Sequence, residues 1–371
     1  MSKVVICPDS FKGTMSAITV ANIIDEEIAQ KYPKTDVVKF PIADGGEGTL
    51  DCFKQAIECS SKTLEVKDAY LNPIIAEYII LRSSVAVIEM AKVAGLYLIE
   101  NKNPSLTSTY GIGEIIRETS QQGHKIIIAL GGSSTTDGGA GIAAACGAKF
   151  FDENENEFVP MGGTLKNISR IDTTELIKAD ITCMCDVENP LYGKTGAAFI
   201  YAPQKGADSA MVEELDKGLR HYSKKIEEFL HRDISTLSGG GAAGGIGAGL
   251  VAFFDATLKS GIDTMLDAVG FDKAVSDADL VITGEGRLDK TSFSGKVIGG
   301  IIKRAKIYNV PVIAVCGQID EKLSLNGSGL LSAYSSKAGR KFFEEIKAHS
   351  ENDLRDTIKN ALTTQIFSMF E

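Results

Sequence analysis

The chain has 371 residues, 39 Lys plus Arg against 49 Asp plus Glu for a net charge of −10, 44% apolar-class residues and 24% charged ones. At roughly 100 to 200 residues per domain that length predicts about two domains, and the apolar-to-charged balance excludes a disordered chain. The acidic excess excludes a chain-wide basic footprint for nucleic acid or an anionic membrane, so an anionic ligand must be met locally. Glycine, at 38 residues, is about 10% against a usual ~7%. The seven cysteines are an odd number with no CxxC pair, and they read as reduced, buried thiols of a cytoplasmic protein. No signal peptide is expected ahead of the first strand, and no apolar stretch approaches the ~20 residues of a membrane helix.

In chain order, Val and Ile at 4–7 predict a strand, and apolar spacing of three and four predicts a helix over 16–31. The loop between them carries Asp9, Ser10, Lys12 and Gly13. After residues 39–42 comes Ala43-Asp44-Gly45-Gly46-Glu47-Gly48-Thr49, whose glycines bare backbone amides beside two carboxylates. Residues 63–82 read as a strand pair turning at Asn72-Pro73, 85–89 as a strand, 109–122 as a helix and 125–130 as a strand. The loop that follows, 131–141, holds Gly131, Gly132, Ser133, Ser134, Thr135, Thr136 and Asp137, enough amides and hydroxyls to meet a bulky anion. A short helix over 140–145 leads to a charged, hairpin-like segment at 150–159. Two polar clusters then supply Asp186 with Asn189, and Gln204 with Lys205, before a helix over 210–232.

Gly239, Gly241 and Gly244 match GxGxxG, but residues 234–237 make a poor strand ahead of them, so close backbone packing or a nucleotide loop of another type fits better than a dinucleotide fingerprint. A strand over 280–283 feeds a loop with Glu285, Arg287, Asp289 and Lys296, followed by a helix over 295–308, a strand over 310–316 and a helix over 351–370. No GxxxxGK[ST], HExxH, GxSxG or zinc spacing is present. Strands this apolar are buried on both faces, which predicts parallel α/β units with ligands beyond the strands' carboxyl ends.

The segments DSFKG (9–13), ADGGEGT (43–49), GGSSTTDGGAG (131–141), CDVENPLYG (185–193), APQKGA (202–207) and TGEGRLD (283–289), with MAKVAGL (90–96) and TSTYGIGE (107–114), resemble the bacterial glycerate kinase family in order along nearly the whole chain. The resemblance implies ATP-dependent phosphorylation of D-glycerate with Mg2+, on two different α/β domains. One would be Rossmann or flavodoxin-like with a parallel sheet (1–62, 83–148 and 238–371), the other a smaller inserted mixed α/β domain (63–82 and 149–237), with the active site in the cleft between them. It implies small-molecule partners only, no nucleic acid or membrane, and leaves a homodimer open. The 2-position of glycerate is the favoured acceptor.

On strand-end position and residue type, Asp137, Asp186 and Lys12 are expected to be catalytic, and Asp9, Ser10, Lys12, Asn189, Lys205 and Arg287 to hold the substrate. Gly131, Gly132, Ser133, Ser134, Thr135, Glu285 and Lys296 are expected on the nucleotide, and Asp44 and Glu47 on the metal. Two other classes stay open at this point: a nicotinamide-dependent dehydrogenase using Gly239 to Gly244, and a noncatalytic sugar-acid sensor.

Overall fold

The computed structural model describes residues 2–293, 296–337, 339–340 and 342–364. It divides into two units, the first made of Met1–Asp44, Asp51–Glu58 and Ile262–Glu371, the second of Gly45–Leu50 and Cys59–Gly261.

In the first unit, five parallel strands pair in the order Leu330–Ser335, Val312–Cys316, Leu280–Gly284, Lys3–Pro8, Asp36–Lys39. Successive side chains point to opposite faces of a strand, and in Val4, Val5, Ile6 and Cys7 both sets are fully buried, so helices cover both faces. Val4, Ile6, Leu280, Ile282, Ile313 and Val315 pack with Val20, Ile24 and Ile28 of the helix Ala17–Lys31 and with Leu354 and Ile358 of the helix Phe343–Leu362. Ser16 caps the first of these helices by accepting from the Thr19 amide at 3.1 Å. Arg355 ties the two together through Glu26 and the buried Glu27. Arg304, on the helix Val297–Ile307, forks onto Asp272 at 2.7 and 2.8 Å and reaches Asp267 at 2.8 Å, anchoring that helix to its neighbours.

Counted in chain order, the five strands lie 2-1-3-4-5 across the sheet. This is the flavodoxin-like order, and its switch point falls between Lys3–Pro8 and Leu280–Gly284, where the connections diverge to opposite sides.

The second unit has a six-stranded sheet. Thr257–Lys259, Ile181–Met184, Lys125–Ala129 and Val85–Glu89 run parallel, and the hairpin of Cys59–Lys67 and Pro73–Leu81 completes it antiparallel. Asp68 holds the hairpin turn by accepting from the amides of Tyr70 and Asn72, both at 2.8 Å. The expected hairpin at 150–159 is a shorter feature: Lys149–Phe151 pairs with Arg170–Asp172, and Phe151 bridges to Glu157 around a turn.

The division differs from the sequence-based boundaries. Residues 83–148 and 238–261 lie in the second unit, because the strands Val85–Glu89 and Lys125–Ala129 pair with Pro73–Leu81 and Ile181–Met184 and not with the first unit's sheet. The inserted unit is therefore the larger of the two. The last helix starts eight residues before the expected 351. The expected ends of two helices, at Gly295 and over 365–370, lie outside the described residues. Among the described residues no strand leads directly into Gly239, which removes the structural context a dinucleotide fingerprint needs.

Candidate active site

At the switch point of the first unit the strand ends open into a cavity of about 390 Å³, within the usual ~300–1,000 Å³ of ligand pockets. Asp9, Ser10 and Lys12 enter from the loop after Lys3–Pro8, Glu285, Arg287 and Asp289 from the loop after Leu280–Gly284, and Gly317 and Gln318 from the end of Val312–Cys316. Asp44, Lys296 and Lys337 complete the polar wall. Arg287–Leu288 and Gln318–Ile319 pair as a two-stranded parallel extension, which fixes where Arg287 projects. Gly286 sits close to the neighbouring loop: a Cβ on it would lie 3.3 Å from the Lys12 backbone nitrogen. Asp9, Ser10, Lys12, Arg287, Glu285 and Lys296 thus come together, although sequence reasoning split them between substrate and nucleotide.

The electrostatics are those of a site that handles charge. Burial, then the Asp44 charge, push Asp9 up to about 7, while the Ser10 amide at 2.6 Å and Lys12 pull the other way. Burial raises Glu285 as well, opposed by Ser292 and Lys296. Glu285 Oε1 is buried with no hydrogen-bond partner, an orphan whose desolvation goes uncompensated unless a ligand meets it. Among the described residues no group of three or more His, Cys, Asp or Glu forms a metal cage. Mg2+ needs none, since one or two carboxylates with phosphates and water suffice. The orphaned oxygen of Glu285 and the half-buried Asp44 fit that role.

In the second unit, neighbouring parallel strands bring a different set together. Asp186 follows Ile181–Met184, Gly131 and Gly132 follow Lys125–Ala129, and the loop carrying Glu47 is strapped over the same sheet end. Glu89, the last residue of its strand and fully buried, accepts from the amides of Gly48 at 3.1 Å and Leu50 at 2.9 Å. The Gly131 amide donates to the Gly45 carbonyl at 2.8 Å, and a Cβ on Gly45 would sit 2.8 Å from Met184. Sequence reasoning missed Glu89, a fully buried acid that closes its strand and accepts from two amides of the loop 45–50. Asp186 is exposed and accepts from the Gly261 amide at 2.9 Å; Glu47 is exposed. Asp44 is grouped with the first unit and Glu47 with the second.

Several other expected site residues are committed to the scaffold. Asp137 is fully buried and accepts from the Thr109 amide and hydroxyl, at 2.7 and 2.8 Å, and from the amides of Gly139 and Gly141, both at 3.2 Å. Burial raises it and these four bonds lower it. Both oxygens of Asp137 are thus engaged within the protein and the side chain is fully buried, where the sequence led us to expect a catalytic carboxylate. Ser134 donates to the Ala94 carbonyl at 2.8 Å, and Ser133 and Thr135 share a hydroxyl contact of 3.1 Å, so these hydroxyls face inward instead of a nucleotide. Buried Lys205 donates to the Thr135 carbonyl at 2.5 Å, and burial lowers it to about 7 against the pull of Asp137. Asn189 is used by Thr195 and Tyr201. The glycine run explains itself by packing, since a Cβ on Gly244 would lie 2.0 Å from the Thr135 carbonyl oxygen.

Residues 4–365 match the model of the glycerate kinase family. A glycerate kinase of Halalkalibacterium halodurans is 42% identical over 86% of this chain and 87% of its own. A glycerate 2-kinase of Escherichia coli is 41% identical over 87% of each. The crystal structure of a candidate glycerate kinase 2 from Salmonella typhimurium superimposes with a TM-score of 0.86 and 37% identity over 100% of both chains. With the family's loops in sequence order on parallel α/β sheets and a charged pocket at a switch point, the chain belongs to the glycerate kinase family.

Proposed function

We propose that the protein transfers the γ-phosphoryl group of ATP to D-glycerate, at the 2-hydroxyl, and that the first unit's pocket takes the nucleotide's phosphates. The observation carrying this reading is the composition of that pocket: Lys12, Arg287, Lys296 and Lys337 beside Asp9, Asp44 and Glu285, at the switch point of a parallel sheet. Phosphoryl transfer asks for positioning and charge neutralisation more than covalent help, and those are the parts present. Arg287 and Lys296 donate to phosphate oxygens, with Lys296 held near the helix N-terminus at Val297, where free amides favour an anion. Lys12, which lines the same cavity, donates to the transferring group. Asp44 and Glu285 would hold Mg2+, which neutralises phosphate charge when bound.

On the second unit, Gly132 offers its backbone amide to the glycerate carboxylate, and exposed Asp186 accepts the proton of the attacking hydroxyl. Buried Cys7, Cys146, Cys183 and Cys316 are free thiols, which supports a reducing, cytoplasmic setting. No helix among the described residues is long and apolar enough to cross a membrane.

Steady-state kinetics with MgATP and D-glycerate test the pocket assignment. Lys12→Ala and Arg287→Ala are expected to lower kcat/KM by ~10²-fold or more; wild-type values in both would refute it. Phosphorus NMR of the product decides the position of transfer, with 2-phosphoglycerate expected.

A further inference from the structure

The pocket has a second wall that phosphate chemistry leaves unused. Val297, Phe343 and Ile346 line the same cavity as the charged residues. Phe343 and Ile346 are three apart on the first turn of the helix Phe343–Leu362, hence on one face. That turn breaks ordinary helix-start chemistry: its N-cap is Phe342, which offers no side-chain acceptor. Phe343 is 52% exposed, and an aromatic ring left half in water at a pocket rim signals a ligand surface more than a core residue.

Its position is held from both sides. Arg340 forks onto Asp353 of the same helix at 2.8 and 3.0 Å, fixing the approach to the turn. The ring itself lies on Gly13, where a Cβ would meet Phe343 Cζ at 2.8 Å. A cavity of about 390 Å³ is far larger than a three-carbon acid. Glycerate also has no apolar surface to cover such a wall, whereas ATP pairs a flat base with a charged tail and matches both walls at once.

We propose that Phe343, with Val297 and Ile346, is the seat of the adenine base of ATP, the ring stacking on Phe343 while the phosphates run to Lys12, Arg287 and Lys296. This rests on the reading of the pocket as the nucleotide site, and the experiment separates the two. Phe343→Ala is expected to raise the KM for ATP about tenfold, a loss in the range of aromatic–base stacking, with the KM for D-glycerate within about twofold and Phe343→Tyr near wild type. Inhibition by inorganic tripolyphosphate, which has no base, should be unchanged in Phe343→Ala and weakened in Arg287→Ala.

The chain has no tryptophan, so Phe343→Trp creates a single fluorescent reporter whose emission should respond to adenosine and not to D-glycerate. The base seat is overturned if Phe343→Ala leaves the ATP constants untouched or raises only the glycerate KM, or if the reporter ignores adenosine. If Lys12→Ala and Arg287→Ala leave tripolyphosphate inhibition at its wild-type value, it is the pocket reading itself that falls.

Discussion

At the scale of single residues, Asp9 and Asp137 show how two buried carboxylates in similar strand-end loops come to different ends. Asp137 meets four donors and is spent on the scaffold. Asp9 meets the Ser10 amide, faces the charges of Asp44, Glu285 and Lys12, and is held near neutrality, at about 7. Its unfolded value is roughly 3.9, so the native state binds the proton more tightly. That contribution to stability is complete below the unfolded value and is lost as pH rises through about 7. Thermal melts of the ligand-free protein should therefore show Asp9→Asn gaining Tm relative to wild type at pH 8 and much less at pH 5. An identical offset at both pH values would contradict the cause assigned. Asp137→Asn should cost ~2–3 kcal/mol of stability, since an amide cannot accept four bonds. Asp186→Asn should leave the melt within error and lower kcat by ~10²-fold or more. Urea denaturation and steady-state turnover on the two variants read out this contrast.

At the scale of elements, both sheets place their chemistry at the carboxyl ends of parallel strands, and the second unit adds a strap. Glu89 holds the loop 45–50 by two backbone amides. Glu89→Gln should destabilise the protein by ~1–3 kcal/mol and speed hydrogen exchange at Gly48 and Leu50; unchanged protection there would show that the strap is not the restraint. Much at this level was legible in the sequence. The strand Val85–Glu89 and the helix Ala140–Ala145 fall on their expected residues, because their β-branched or alanine-rich runs are bounded by glycine and polar turns. The strand-end loops holding Asp9 and Glu285 were found for the same reason. Pairing was not legible: nothing in Ile126 or Ile128 says which sheet receives the strand, so the unit boundaries moved. Nor was the inward turn of Ser134 and Thr135, since a hydroxyl facing a carbonyl and one facing a ligand are the same letter. Phe343 escaped because its helix opens without a capping residue, the very signal used to find helix starts.

At the scale of the whole molecule, each unit has its own apolar core, one built around Val4, Ile24, Ile282 and Leu354, the other around Ile88, Ile112, Phe150 and Tyr222. Ligands that bind only the folded state raise its stability by mass action, so ADP with Mg2+ should raise the Tm, by about 2.7 kcal/mol of stabilisation at a hundredfold excess over Kd. The dinucleotide NAD should not, since Gly241 packs against the Asn189 and Pro190 backbone and Gly244 and Gly245 against Thr135 and Gly138. The most direct test of the account is turnover itself: purified protein with D-glycerate, ATP and Mg2+, with ADP release followed by a coupled assay. The account predicts ADP formation that requires D-glycerate and is matched one to one by phosphoglycerate. ATP left intact in the presence of D-glycerate, or ADP released without a phosphorylated acid, would contradict it.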